Sequence, residues 1–149
     1  MIALGCDHGG FNLITAIKKH FDEQGIAYKD FGTYSEDSVD YPVYACKVAN
    51  AVVSGECELG ILCCGTGIGI SIAANKVKGI RAAVVTNEFC AEMTRRHNDA
   101  NILAMGGRVI DCETAVKLTD IFLNTPFDGG RHAERIAQIA QIENGEQLQ

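Results

Sequence analysis

The stretch "LGILCCGTGIG", residues 59–69, decides how this chain folds. Its first six residues carry no charge and no polar alternation. A run of that kind is expected of a strand buried on both faces, as in a parallel sheet covered by helices. Three glycines, Gly65, Gly67 and Gly69, follow at alternate positions. After them, "SIAANKV" (71–77) has the look of a helix. A strand, a glycine turn and a helix start in direct succession aim backbone N–H groups at one point.

The same alternation extends in both directions. Upstream, "IALGC" (2–6) reads as a strand, and residues 10–24 place Phe11, Ile14, Ile17 and Phe21 at helical spacing before Gly25. "IAYKDF" (26–31) reads as a second strand, and the polar stretch 32–40 as a loop. Pro42 suits the first turn of a helix that runs to Gly55. Downstream, strands are expected at 80–85 and 101–107, and helices at 88–97, 112–123 and 131–143. The pattern predicts an α/β fold: one three-layer, Rossmann-like domain over residues 1–149, with a five-stranded parallel sheet and helices on both faces.

Composition narrows the function. The 149 residues carry a formal charge of −6, which argues against a general nucleic-acid binder and against an anionic membrane surface. No segment approaches the length of a membrane span, and the N-terminus has no basic, signal-like start. Seven cysteines, an odd count with no C-x-x-C pair, suit reduced thiols in a cytoplasm better than a disulfide frame or a zinc site.

In a sheet of this kind ligands bind beyond the carboxyl ends of the strands. Asp7 and His8 follow the first strand, and Cys64 ends the third. The glycine loop is not a dinucleotide fingerprint, because Ile70 stands where the third glycine belongs, and no Gly-Lys-Ser/Thr follows for an ATP-type loop. A Cys-x5-Arg phosphatase loop fails at the same isoleucine. What remains is either a tight strand-to-helix turn or a close backbone approach to a ligand.

Side chains alternate along a strand, so Cys63 and Cys64 face opposite ways. Cys63 lies inside the apolar run and should pack. Cys64 lies at the rim beside a helix start that favours a thiolate, which makes it a candidate nucleophile or base. Asp7–His8 reads equally as a carboxylate–imidazole unit or as a capping Asp beside a surface His. His97 follows Arg95 and Arg96 at a helix end, where a plain charge cluster is the simpler account. Arg131 and Arg135 share one helix face, either as a solvated surface or as a clamp on one phosphate, and Arg108 after the last strand would join them.

Together, "GCDHGGF", "DYP", "CGTGIGISIAANK", "RRHNDAN" and "GGRHAERI" resemble the type B ribose-5-phosphate isomerases, whose relatives isomerise allose 6-phosphate and galactose 6-phosphate. The resemblance runs from residue 2 to about 143. It implies a metal-free, cofactor-free aldose–ketose isomerisation through a cis-enediolate. It makes Cys64 the base and His97 the proton donor that assists furanose opening. The amides of Gly65, Thr66, Gly67, Ile68 and Gly69 would hold the oxyanion. Asp7 and Asn98 would hold sugar hydroxyls, and His8, Arg108, Arg131 and Arg135 would surround the phosphate. It further implies a homodimer, or a tetramer of such pairs, with the helix at about 131–143 packed at the interface and the sites built there. A non-catalytic sugar-phosphate sensor on the same sheet would need neither Cys64 nor His97.

Overall fold

The computed structural model describes residues 1–149. Five strands form one parallel sheet in the order β2-β1-β3-β5-β4: β1 Ile2–Cys6, β2 Tyr28–Asp30, β3 Leu59–Cys64, β4 Ala82–Val84 and β5 Ile102–Gly106. Six helices cover it: α1 Phe11–Gln24, α2 Tyr41–Val53, α3 Ile68–Ala74, α4 Glu88–Arg96, α5 Cys112–Asn124 and α6 Arg131–Glu143. This is the expected α/β architecture with helices on both faces.

Strand alternation divides the core in two. Ile61, Cys63, Leu103 and Met105 pack with α1, α4 and α5 through Leu13, Phe21, Ala91 and Phe122. Leu62, Cys64, Ile102 and Ala104 pack on the other face with α2 and α3, through Val48 and Ile70. The two adjacent cysteines therefore belong to different layers, as strand geometry requires.

The edge strands are shorter than the sequence suggests. β2 keeps three residues of 26–31 and β4 three of 80–85, since each has a neighbour on one side only. The larger difference is α3. The helix expected at 71–77 starts at Ile68, inside the glycine loop, and ends at Ala74. Gly67 caps it at φ +80°, and a Cβ there would lie 2.8 Å from the Met105 carbonyl carbon. Only glycine meets both conditions, and that lets the helix begin directly at the strand end. Asn75 closes it by holding Ala82 from both sides: its Nδ2 donates to the Ala82 carbonyl (2.9 Å) and its Oδ1 accepts from the Ala82 amide (2.7 Å).

α6 stands apart from the rest. None of its residues is buried, and Ile139 and Ile142 are about half exposed. At its far end the Glu143 carboxylate accepts from the Gly79 amide. No helix is long and apolar enough to cross a membrane.

Candidate active site

β1 and β3 are neighbours, yet the chain leaves them in opposite directions across the sheet. A crevice opens beyond the carboxyl ends of two such strands. Two short segments line it here: a 3-10 turn at His8–Gly10 after β1, and the glycine loop after β3.

The first segment is organised by Asp7. Its Oδ1 accepts from the amides of Gly9 (2.8 Å) and Gly10 (3.2 Å), so this carboxylate caps the turn and does not pair with His8. Asp7 is nearly buried, at 6 % exposure, and Oδ2 has no partner in the chain. His8 Nδ1 accepts from the Val39 amide (3.2 Å). A ring nitrogen that accepts carries no proton, so the proton of neutral His8 sits on Nε2.

The second segment is organised by Cys64. Its Sγ accepts from the Gly67 amide at 3.1 Å. Thr66 Oγ1 accepts from the Ile68 amide (3.2 Å). The Gly65 and Thr66 amides, by contrast, find no acceptor within the chain. Unpaired donors beside a sulfur form a pocket for negative charge. Arg108 joins them: its amide donates to the Gly65 carbonyl (2.9 Å), and its guanidinium lies so close over Gly65 that a Cβ there would be 2.9 Å from Nη1. Gly106 is likewise pressed against Thr66, where an added Cβ would lie 2.5 Å from the Thr66 carbonyl carbon.

The other cysteines of this region are unsuited to ionise. Cys63 is fully buried, and burial pushes its thiol well above the usual range. Cys6, beside it in register, is pushed up to about 12, first by burial and then by the Asp30 carboxylate. Cys64 retains 5 % exposure, against none for Cys63.

The structure gathers Asp7, His8, Cys64, the loop residues 65–69 and Arg108 at this rim. It does not bring His97, Asn98, Arg131 and Arg135 there. α4 returns antiparallel to the strands and ends at the opposite rim. Asn101, just past its end, accepts from the Gly60 amide at the start of β3 (2.9 Å). Cys64 lies four residues further along that strand, about 13 Å away at the usual strand rise. The side chain of His97 does not fold over to the carboxyl end.

At this opposite rim a second cluster is built. The Asp128 amide donates to the Arg96 carbonyl (3.0 Å), and Asp128 Oδ1 pairs with Arg96 Nη1 (3.2 Å). This pins the start of α6 to the end of α4, and the His97 and His132 rings stack at 4.3 Å. Nitrogens of both rings and the Asp128 carboxylate lie within 4.8 Å of one another. Sequence reading missed His132 and Asp128. Their one signal was position: His132 sits between Arg131 and Arg135.

The six arginines divide cleanly. Arg81, Arg95 and Arg96 are engaged: Arg81 with Asn98 O, Asp99 O and Asp99 Oδ2, Arg95 with Asp99, and Arg96 with Glu92 and Asp128. Arg108, Arg131 and Arg135 have no carboxylate partner, in a chain with six more acids than bases. These three are the arginines singled out for a phosphate.

Comparison with known proteins places the chain in a family. Residues 2–139 match the family model described as Ribose/Galactose Isomerase. The chain is 50% identical over 142 residues to the Escherichia coli protein named ribose-5-phosphate isomerase B, covering 95% of each chain. A Clostridium thermocellum ribose-5-phosphate isomerase B structure superposes with a TM-score of 0.95 at 54% identity, covering 97% of each chain. A Mycoplasma genitalium ribose-5-phosphate isomerase B with bound ribulose-5-phosphate superposes at 0.91 and 39% identity, over 96% of this chain and 95% of that one. The sheet, the Cys64 loop and the free arginines thus belong to a chain that is a member of the ribose/galactose isomerase family.

Proposed function

We propose that this protein interconverts ribose 5-phosphate and ribulose 5-phosphate by moving a proton between C1 and C2. The observation that carries the reading is the sulfur of Cys64 beside two amides with no acceptor in the chain. The named substrates of its relatives favour the pentose phosphate.

The chemistry follows from the groups present. Cys64, as thiolate, takes the proton from C2 of the open-chain aldose. The negative charge moves onto the carbonyl oxygen as the cis-enediolate forms, and the Gly65 and Thr66 amides hold it there, where positioned donors act most strongly. Return of that proton to C1, with the O2 proton passing to O1 as the C2 carbonyl forms, gives the ketose, so the reaction needs no external electron carrier. Asp7 Oδ2 and the His8 Nε2–H orient hydroxyl and phosphate oxygens. A phosphate dianion nearby opposes formation of the thiolate. The Gly67 amide on Sγ and the Arg108 cation work against that cost.

His97, Asn98, Arg131 and Arg135 enter this site from a second copy. Each chain carries a half-site at each rim, about 13 Å apart along the strand direction. A two-fold pairing of carboxyl rim with amino rim completes two equal sites at once. Exposed apolar side chains are available for such a pairing: Ile68 and Ile72 on α3, Phe89 at the start of α4, and Ile139 and Ile142 on α6. On this reading residues 1–149 act as one isomerase domain, α6 packs against the partner, and His97 protonates the ring oxygen to open the furanose. A cytoplasmic setting suits the seven unpaired thiols.

The test is incubation with ribose 5-phosphate and detection of the ketose, with kcat/KM compared against allose 6-phosphate and galactose 6-phosphate. A higher kcat/KM for a six-carbon sugar phosphate moves the substrate. Binding without turnover of any of them makes the protein a sensor.

A further inference from the structure

We propose that His132 is a positioning residue for His97: its ring is the platform that fixes the plane of the His97 imidazole. The inference rests on the isomerase reading above and adds a residue to it.

The geometry is specific. The two rings lie 4.3 Å apart and within 10° of parallel. A stacked ring covers the face of its neighbour and leaves the edge open. Both imidazole nitrogens lie on that edge, where a ring oxygen of a sugar must approach. His97 is otherwise held only at its backbone, where its amide donates to the Met93 carbonyl (2.8 Å) at the end of α4. No hydrogen bond to another group in the chain fixes its side chain. His132, by contrast, is delivered by a pinned element: Asp128 ties the start of α6 to Arg96 through backbone and side chain.

The electrostatics suit a platform more than a second acid. Around the pair stand Arg131 and Arg135 on α6 and Asp128 before it, with Arg96 of α4 paired to Asp128 and to Glu92. His132 is held below its ordinary value by burial, then by His97 and the two α6 arginines, against the pull of Asp128. A neutral His132 ring under a protonated His97 is an attractive cation-on-ring stack. Two charged rings at 4.3 Å would repel, which suits a neutral platform beneath His97.

Three variants test this. His132→Ala removes the platform and is expected to lower kcat on cyclic ribose 5-phosphate about 10–100-fold, the scale of a misplaced catalytic group, with KM little changed. Proton exchange at C1 of ribulose 5-phosphate, which needs no ring opening, should fall far less. His132→Phe keeps a flat ring without nitrogens and should recover most of the loss, whereas His132→Gln, polar but not a ring, should not. The His97 ring protons should move downfield in the NMR spectrum of His132→Ala and stay near their place in His132→Phe. Wild-type turnover in His132→Ala overturns the proposal, as does rescue by glutamine but not by phenylalanine. An unshifted His97 spectrum in the alanine variant does so too. A wild-type protein that turns over no sugar phosphate sinks the isomerase reading instead, while the spectrum still decides whether the stack exists.

Discussion

The Gly67 amide donates to the sulfur of Cys64 at 3.1 Å, three residues along the chain. That bond exists because Gly67 adopts φ +80° and turns its N–H back toward the end of β3. Cys63, one residue earlier, lies in the opposite layer, packed among Leu103, Met105 and α1. The pleat thus sends the neighbouring cysteines into different surroundings, and the glycine turn adds the donor to Cys64.

Cys64→Ser should lower activity by about 10²–10⁴-fold with the fold intact, since a serine hydroxyl is a far weaker base than a thiolate. Cys63→Val should keep most activity and cost at most about 1.5 kcal/mol, because valine is apolar and of similar size. Deuterium wash-in at C1 of the ketose reads the base directly in both variants. Alkylation supplies an independent measure, provided the exposed Cys46 and Cys90 are first replaced by serine. In that background, loss of activity should track modification of Cys64, and ribose 5-phosphate should protect it. Full exchange in Cys64→Ser would place the base elsewhere.

Arg135→Ala should raise KM for a phosphorylated sugar about 10–100-fold, the equivalent of a charge-assisted hydrogen bond of roughly 1.5–3 kcal/mol. Turnover of the unphosphorylated sugar should barely change, because Arg135 has no partner within the chain whose loss would disturb the fold. Equal damage to both substrates would make α6 a structural element and remove the clamp.

Much of this arrangement was legible in the sequence, for physical reasons that differ by residue. β3 and its loop were plain because a charge-free run ending in alternating glycines has few other folded uses. In the sequence Asp7 reads equally as a cap and as a partner for His8, and its Oδ1 on two amides makes it the cap. The sequence places α3 three residues late because the glycines read as loop, whereas Gly67 is itself the cap. The stack of His97 on His132 joins residues 35 positions apart, through a tie between Arg96 and Asp128 that no periodicity encodes. The rim on which His97 lies follows from a simple rule, since a helix between parallel strands must run back.

The depressed His132 also predicts how stability depends on pH. Its folded value lies below the ordinary 6.5, through burial first and then neighbouring cations. Above about pH 6.5 neither folded nor unfolded His132 is charged, and the group contributes nothing. As pH falls through that value the unfolded chain takes up the proton first, so folding stability drops until the folded group also titrates. Urea midpoints at about pH 7.5 and about pH 5.5 should therefore fall further apart in the wild type than in His132→Phe. An identical fall in the two proteins would mean that His132 is not perturbed.

The proposed division of the site between two rims makes the last prediction, and it concerns whole chains. Cys64→Ser and His97→Asn should each be nearly inactive alone. In a pairing that joins the carboxyl rim of one copy to the amino rim of the other, a mixed dimer places both lesions in one site. Its second site then holds an intact Cys64 facing an intact His97. Random reassortment of equal amounts makes half of the dimers mixed, so activity should recover to about a quarter of the wild-type value. Mixing after brief denaturation, or co-expression with two affinity tags, gives the reassorted sample, and an unmixed blend of the two proteins is the control. Were the side chain of His97 to reach Cys64 of its own chain, every site would carry one lesion and mixing would restore nothing. Recovery near a quarter thus assigns His97, and with it the Arg131–Arg135 face of α6, to the partner's reaction.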